Sequence, residues 1–457
     1  MAAARGETLM TAGSVGGQII RFAMPVFWGN LFQQLYNLVD ALVVGNFLGS
    51  EALAAVGTSG NIIFLLVGLL GGIFTGAGVD ISNAYGAGDE QAMRTAVHTT
   101  VAFGLIAGVL LSVAGVLISP PLLRWVGTPE MVFPQALLYF RIYFAGALFV
   151  ALYNTAMGIF QAVGDSRHPL YYLIVSSVIN VVLDLLFVAV FHMGVDGAAL
   201  ATVISQAVSA ALGFRRLMHT DGPHRLFPRQ IRLHGPTLRR VLSMGLPSGL
   251  QNSIISIGNI FVQSGINRYG AMAMAGSGAY WKLEGFGFLP VSAFALALTT
   301  FTGQNLGAKK YARARQGARF GLAVCMAMSE VIGVLTYWLS PYLISLFNGD
   351  PEVIRYGAAH ARTIAFFYFL LAFSHGMAGI LRGAGKSVVP MLVMSLCWCA
   401  VRVVYIPLIA ARFSDVRMVY IVYPITWTLS SVAFLIYYFK ADWIHGLEGT
   451  GGEGGGR

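Results

Sequence analysis

The chain has 457 residues, of which 56% are hydrophobic and only 11% are charged, and its mean hydropathy is +0.71. Because soluble proteins carry about 25% charged residues, this composition excludes an ordinary water-soluble domain and predicts a membrane protein. The net charge of +10 does not indicate nucleic acid, because basic residues that face anionic lipid beside a membrane account for it.

Apolar segments recur along nearly the whole chain, and about 20 apolar residues cross a hydrocarbon core about 30 Å thick as a helix. We predict twelve membrane spans, numbered in chain order, at residues 18–47, 53–80, 92–118, 134–162, 169–191, 196–218, 238–267, 271–303, 314–339, 354–381, 388–410 and 417–439.

One long polar interruption, at residues 219–240, lies near the midpoint of the chain and separates two sets of six spans. We therefore predict five segments in chain order: an N-terminal cytoplasmic tail, an N-lobe of spans 1–6, a cytoplasmic linker, a C-lobe of spans 7–12 and a Gly-rich disordered tail. Their bounds are 1–17, 18–218, 219–237, 238–440 and 441–457.

The two halves are related by an internal repeat. "GIFQAVGDSRHP" (158–169) and "GILRGAGKSVVP" (379–390) align without a gap at an offset of 221 residues. The second stretch resembles a phosphate-binding loop, but its glycine spacing is one residue off and its flanks are long apolar runs. An offset of 222 aligns Pro25 with Pro247. Because each half has an even number of spans, both enter the membrane from the same side, as in parallel transporter repeats. The repeated stretch is therefore a turn in which Gly ends one helix and Pro starts the next.

Most of the 29 basic residues fall on one side of the predicted membrane if both termini share that side. The central linker and its margins contain Arg215, Arg216, Arg225, Arg229, Arg232, Arg239 and Arg240. The positive-inside rule then predicts a multi-pass protein of the cell membrane with both termini and the linker in the cytoplasm.

Span 1 carries a polar stripe of Asn30, Gln33, Asn37 and Asp40, whose spacings of 3, 4 and 3 place them on one helix face. An ionised residue at the bilayer centre costs about 2.5–3.5 kcal/mol on insertion scales. We therefore expect this face to contact protein or a water-filled cavity.

Span 5 adds Ser176, Asn180 and Asp184, each four residues apart and on one face. Small residues at the start of span 6 allow close approach of a neighbouring helix, and we expect them to bring the Thr202 hydroxyl near that face.

The second half keeps polar residues but not the acids. At the repeat offsets, Val262 takes the place of Asp40 and Tyr405 takes the place of Asp184. Span 7 keeps a neutral stripe that includes Asn259 and Gln263. We infer from this asymmetry that an ion-coupling site lies in the N-lobe.

Four segments resemble the multidrug and toxic compound extrusion (MATE) family, and within it the DinF-like branch. They are "FAMPVFWGNLFQQLYNLVDALVVGNFLG", "AYGAGD", "GIFQAVGDSRHPLYYLIVSSVINVVLDLLFV" and "GVDGAALAT". The resemblance covers about residues 15 to 440. It implies an all-α, twelve-helix antiporter with two lobes around a central cavity, which exports organic, often cationic, compounds using H⁺ or Na⁺. It also implies that Asp40 and Asp184, completed by Asn180 and Thr202, bind the coupling ion. The NorM-like pattern, with acids in spans 7 and 10, is not met.

Two carboxylates in a poorly hydrated pocket cannot both be ionised cheaply. A proton relieves this cost, and so does Na⁺ held by hard oxygen ligands, while the same pocket can attract an organic cation. Competition between the two cations then gives antiport. We predict Pro25 and Pro247 as hinges, because proline removes a helical hydrogen bond. The alternative to ion binding is that Asp40 and Asp184 have a structural role only and bond to neighbouring helices.

We assign further polar residues within the spans to the substrate cavity. Lys282 and Glu284 lie two apart in span 8 and so point to different sides, and Arg402 is a candidate partner of Glu284. A cavity role and a structural ion pair are equal alternatives for them. Helix–helix or interior contacts are favoured for Glu330 and His375. The predicted cavity residues are Asn30, Gln33, Asn37, Ser176, Asn259, Gln263, Lys282 and Glu284.

The alternative function is a lipid-linked oligosaccharide flippase of related architecture, which would need a cationic cavity. The intramembrane carboxylates favour antiport, although Lys282 and Arg402 leave the flippase open. The spans contain no motif of an intramembrane enzyme, and the three cysteines have no metal-ligand partners nearby. We therefore expect no enzyme activity, no cofactor and no metal other than a coupling Na⁺. The expected partners are a small-molecule substrate and membrane lipid, without nucleic acid, and the protein is expected to be a monomer.

Overall fold

The computed structural model describes residues 9–445, so the outer parts of the two predicted tails, 1–8 and 446–457, lie outside the described residues. Within 9–445 the secondary structure is helical, without strands. The first half contains α1 (Val15–Leu48), α2 (Ser50–Ala87), α3 (Glu90–Trp125), α4 (Phe133–Ala145), α5 (Ala147–Ala162), α6 (Arg167–Asp184) and α7 (Val195–His219). The second half contains α8 (Gly235–Asn267), α9 (Ala271–Gly287), α10 (Leu289–Gly307), α11 (Tyr311–Ser345), α12 (Pro351–Ile364), α13 (Tyr368–Gly383), α14 (Val388–Met394), α15 (Val401–Ala410), α16 (Arg417–Tyr420) and α17 (Val422–Lys440).

These helices correspond to the twelve predicted spans. Eight helical segments of the described chain are long and apolar enough to cross a membrane, and ten are if each bent pair is one span. The bent pairs are α4 with α5, at 49°, and α9 with α10, at 40°. The other two predicted spans are α1 and α8, of 34 and 33 residues, and the polar stripes along them lower their hydropathy.

The described chain forms two compact units. Unit 1 contains Trp28–Gly245, and unit 2 contains Met10–Phe27 together with 246–445. Two helices therefore change unit along their length: α1 does so close to Pro25, and α8 does so close to Pro247.

The repeated turn has the predicted construction in both halves. Gly164 follows the end of α5 with a φ of +87°, and Gly385 follows the end of α13 with a φ of +73°. This left-handed conformation satisfies the last carbonyls of a helix and suits glycine, which has no Cβ. Pro169 and Pro390 then lie in the first turns of α6 and α14, where no helical N–H is needed.

Spans 5 and 11 each contain a short π-helical segment, at Leu185–Val190 and Ser395–Ala400. Such a segment widens the helix and disturbs its regular backbone bonding, and π segments occur often at functional sites. The first one begins directly after Asp184, so the irregularity of span 5 lies next to its acidic residue.

Candidate coupling site in unit 1

The acidic face of span 5 is buried against span 6. Asp184 is 0% exposed, Asn180 1% and Thr202 7%, so the three polar groups are enclosed although their helices are largely apolar. The buried positions of α6 repeat every three or four residues, which is the spacing that keeps one face of a helix turned inward. The structure therefore brings these three side chains together.

Asn180 joins Asp184 to Thr202. With its amide nitrogen toward Asp184, Asn180 donates to Asp184 Oδ2 at 3.1 Å and accepts from the Thr202 backbone N–H at 3.3 Å. With the amide reversed, its nitrogen lies 3.4 Å from Thr202 Oγ1. The Thr202 hydroxyl donates to the Ala198 carbonyl at 3.1 Å, which leaves its oxygen lone pairs available to a cation.

Asp40 from α1 completes the site. Its carboxyl group lies within electrostatic range of that of Asp184. Both Oδ1 atoms are buried and have no hydrogen-bond partner in the described part of the chain. Two carboxyl groups can share a hydrogen bond only if one holds a proton, and buried oxygens without donors are costly. One proton or one small cation between the two groups would relieve this cost.

Two tyrosines near the pair were not identified from the sequence. Tyr36 and Tyr139 are within electrostatic range of both Asp40 and Asp184, and Tyr139 is only 6% exposed. Tyr36 precedes Asp40 by four residues, about one helical turn, so the sequence alone could have indicated that the two side chains are neighbours on α1. Tyr139 comes from α4, and no local pattern indicates that its ring faces span 1.

In unit 2 the polar residues gather around Arg402 rather than around an acid pair. Its guanidinium is 1% exposed and donates to Asn259 Oδ1 at 2.5 Å and to Thr426 Oγ1 at 3.4 Å. It also lies over the Tyr423 ring, 4.6 Å from the centroid. Glu284 is within electrostatic range of Arg402, the partner considered for it from the sequence.

The remaining predicted cavity residues are dispersed. Lys282 is exposed and lies 6.0 Å from the Phe347 ring centroid, on a side of α9 different from that of Glu284. Ser176 is buried and donates to the Ser205 carbonyl at 3.1 Å, which ties α6 to α7. Of the others, Gln33 and Asn37 are exposed on α1, Asn30 is half-buried, and Gln263 donates to the side chain of Asn267.

Two other polar residues make the interior contacts expected of them. Glu330 Oε2 accepts from the Phe369 backbone N–H at 3.3 Å, which links α11 to α13. His375 packs against the rings of Phe288 and Trp398, at centroid distances of 4.8 and 5.4 Å.

Two six-span halves in a parallel repeat, with acidic groups buried inside the spans, define a membrane transporter. The MatE family model matches residues 25–186 and 247–408, so the chain belongs to the MatE family. The two matched ranges begin 222 residues apart (247 − 25) and end 222 apart (408 − 186), in agreement with the repeat offset found in the sequence.

Known proteins resemble the chain over almost its whole length. It is 30% identical to the probable multidrug resistance protein YpnP of Bacillus subtilis (strain 168) over 434 residues, which are 95% of this chain and 97% of that protein. It is 28% identical to the probable multidrug resistance protein YoeA of the same organism, covering 93% and 94%. Its fold matches the solved outward-facing structure of a multidrug resistance MATE family transporter, with a TM-score of 0.91, 23% identity and coverage of 97% and 99%.

These comparisons confirm the predicted family and the predicted all-α fold of twelve spans in two repeats. The chain is thus a multi-pass membrane protein of a family of multidrug efflux transporters, and that family is one of transporters and not of enzymes. The flippase alternative is not favoured, because the relatives are named as multidrug resistance proteins.

Proposed function

We propose that this protein is a secondary active antiporter that exports organic cations in exchange for H⁺ or Na⁺. The observation that carries the proposal is the proximity of the carboxyl groups of Asp40 and Asp184, each with one buried oxygen that lacks a partner in the described chain. The coupling ion binds there, and Asn180 and Thr202 supply the other oxygens. The assignment to the DinF-like branch rests on the same two acids.

The chemistry of the pair suits a competition between cations. With no proton bound, two adjacent carboxylates repel each other and lack the water that would stabilise them. One proton removes a charge and supplies the hydrogen bond between them. Na⁺ also offsets the charge of the pair, because it is a hard cation that prefers carboxylate, amide and hydroxyl oxygens. An organic cation that approaches the negative pair is favoured only while the coupling ion is absent.

The two helical prolines supply the hinges of an alternating-access cycle. Asp40 lies fifteen residues after Pro25 on α1, or roughly 22 Å along the helix axis. Pro25 and Pro247 interrupt backbone hydrogen bonding close to the points where α1 and α8 pass from one unit to the other. Ion binding at Asp40 therefore acts on a helix whose backbone hydrogen bonding is already interrupted at Pro25.

Substrate contacts come from polar side chains beside these elements. Gln33 and Asn37 are exposed on the α1 face that also carries Asp40, and Asn259 is exposed on α8 while buried Arg402 holds its amide. Asn30 and Ser176 in unit 1, and Gln263, Lys282 and Glu284 in unit 2, are further proposed substrate contacts.

The remaining parts of the proposal concern the setting. The protein works as a monomer in the cell membrane, in contact with lipid and without a cofactor or nucleic acid. The excess of arginine in the linker supports a cytoplasmic location of both termini and the linker.

The test is efflux of ethidium from liposomes that contain the purified protein, first under a proton gradient and then under a sodium gradient. The variants are Asp40→Asn and Asp184→Asn, and Glu330→Gln serves as a matched control that neutralises an acid in unit 2 outside the proposed substrate contacts. Efflux driven by one gradient, lost in both aspartate variants and kept in the control, supports the proposal and names the ion. Undiminished efflux in both aspartate variants contradicts it.

A further inference from the structure

The linker between the two halves docks on the first turns of α3. The Phe227 backbone N–H donates to His98 Nε2 at 3.0 Å, and the His234 N–H donates to Thr99 Oγ1 at 3.3 Å. His98 Nδ1 in turn lies 2.7 Å from the Arg94 carbonyl. Because Nε2 accepts and Nδ1 donates, the buried imidazole is neutral and holds both segments in place.

A basic cavity of about 410 Å³ lies between the linker and α3. Arg94 lines it from the helix, Arg229 and Arg232 line it from the linker, and the amides of Gln91 and Gln230 add further donors. No acidic side chain lines the cavity, and within residues 9–445 none of the three arginines forms an ion pair. Three guanidinium groups thus converge without a counter-charge.

The arginines of this cavity differ from the basic residues in a cavity of unit 2. There, Arg417 is paired with Asp415 at 2.9 Å and Arg355 with Glu352 at 3.1 Å, so two of the three arginines that line it have a counter-charge. Arg94, by contrast, is held by the Phe227 ring, 5.3 Å from its centroid, which leaves the charge uncompensated. An anionic ligand would meet three guanidinium groups without a counter-charge, one of them positioned by an aromatic ring.

The setting of the cavity favours a lipid over a soluble ligand. Arg94 lies in the first turns of α3, which is itself a candidate membrane span from Glu90 to Trp125. Leu233, between two lining residues, is 44% exposed beside the arginines. A phospholipid whose phosphate is bound here would place its acyl chains alongside an apolar helix. Basic pockets between elements at a membrane surface are typical sites for lipid headgroups.

We propose that this cavity, lined by Arg94, Arg229 and Arg232, binds the phosphate of an anionic phospholipid headgroup. The site is separate from the aspartate pair and does not depend on the ion-coupling proposal. Its ligand ties the linker to α3 at the membrane surface.

The test is native mass spectrometry of the full-length protein with phosphatidylglycerol or with phosphatidylcholine of the same acyl chains. We expect the wild type to retain phosphatidylglycerol in preference, and R94Q/R229Q/R232Q to retain at least about 10-fold less of it. The matched control R215Q/R239Q/R315Q removes the same charge outside the cavity, and Arg315 is the repeat equivalent of Arg94. It should retain lipid like the wild type, and so should R94K/R229K/R232K.

Three results would overturn the proposal. The first is equal retention of both lipids by the wild type, and the second is an equal loss in the cavity variant and its control. The third is displacement of phosphatidylglycerol by millimolar inorganic phosphate, which would identify a site for soluble phosphate instead. Circular dichroism and gel filtration of each variant separate loss of the site from loss of the fold.

Discussion

Replacement of Gly76 by alanine is expected to destabilise unit 1, because α2 and α8 touch there through their backbones. A Cβ on Gly76 would lie 2.4 Å from the Gly245 nitrogen and 2.6 Å from the Val241 carbonyl oxygen. Neither atom can rotate aside. Gly78, two residues further along α2, is the matched control, since the nearest atom to its Cβ would be the Gly158 carbonyl oxygen at 3.9 Å.

The magnitude follows from two opposing effects. Alanine is favoured over glycine inside a helix by about 1 kcal/mol, and this gain applies to both variants. Ordinary contact begins at 3.4 Å, so Gly76→Ala requires the helices to separate by about 1.0 Å (3.4 − 2.4). Such overpacking costs about 1–3 kcal/mol. We expect Gly78→Ala to be neutral or stabilising, and Gly76→Ala to be about 1–3 kcal/mol less stable than Gly78→Ala.

The assay is thermal unfolding of both variants in the same detergent, with ethidium efflux measured in parallel. Gly245 immediately precedes the segment of α8 that contains Pro247, so displacement of α8 at Gly76 should also slow transport. A Gly76→Ala variant that melts at or above the temperature of Gly78→Ala would refute the backbone-contact argument.

Four further variants test other parts of the structure by thermal unfolding. Lys309 has a φ of +57° where its repeat equivalent is Gly88, so Lys309→Gly should raise stability by about 1 kcal/mol, and a lower melting temperature would contradict this. Burial in the linker lowers the pKa of His224 to about 4 from 6.5, so the folded state resists a proton that the unfolded state accepts. Stability should therefore fall as pH drops below about 6.5, by about 2 kcal/mol at pH 5 relative to pH 8, and His224→Gln should remove this dependence. Arg402→Leu should cost about 3 kcal/mol because it removes a buried guanidinium from the Tyr423 ring, from the buried Thr426 hydroxyl and from nearby Glu284, whereas Lys282→Leu, at an exposed position, should change stability by less than about 0.5 kcal/mol.

The sequence predicts the course of the chain through the membrane well, because long apolar runs and a constant repeat offset are properties of the sequence itself. It does not predict where a span breaks. Span 4 bends by 49° between Ala145 and Ala147, and span 5 turns π-helical after Asp184, both within runs that read as continuous apolar helix. Those irregularities depend on packing against other helices.

The candidate site is predictable to the extent that its members are rare in apolar surroundings. Asp40, Asn180 and Asp184 stand out for this reason, and their helical spacing gives their shared faces. Tyr139 does not stand out, because aromatic residues make up 12% of the chain and most serve in packing. The basic cavity is also hidden from the sequence, since it forms only when Phe227 docks on a helix more than a hundred residues earlier.

The most direct test of the account is the affinity of the purified protein for ethidium, measured by fluorescence at several pH values and sodium concentrations. The account predicts that protons or Na⁺ weaken dye binding to the wild type competitively, and that Asp184→Asn abolishes this dependence while Glu330→Gln preserves it. Wild-type affinity that is independent of both ions would contradict the claim that the coupling ion and the substrate compete through the Asp40–Asp184 pair.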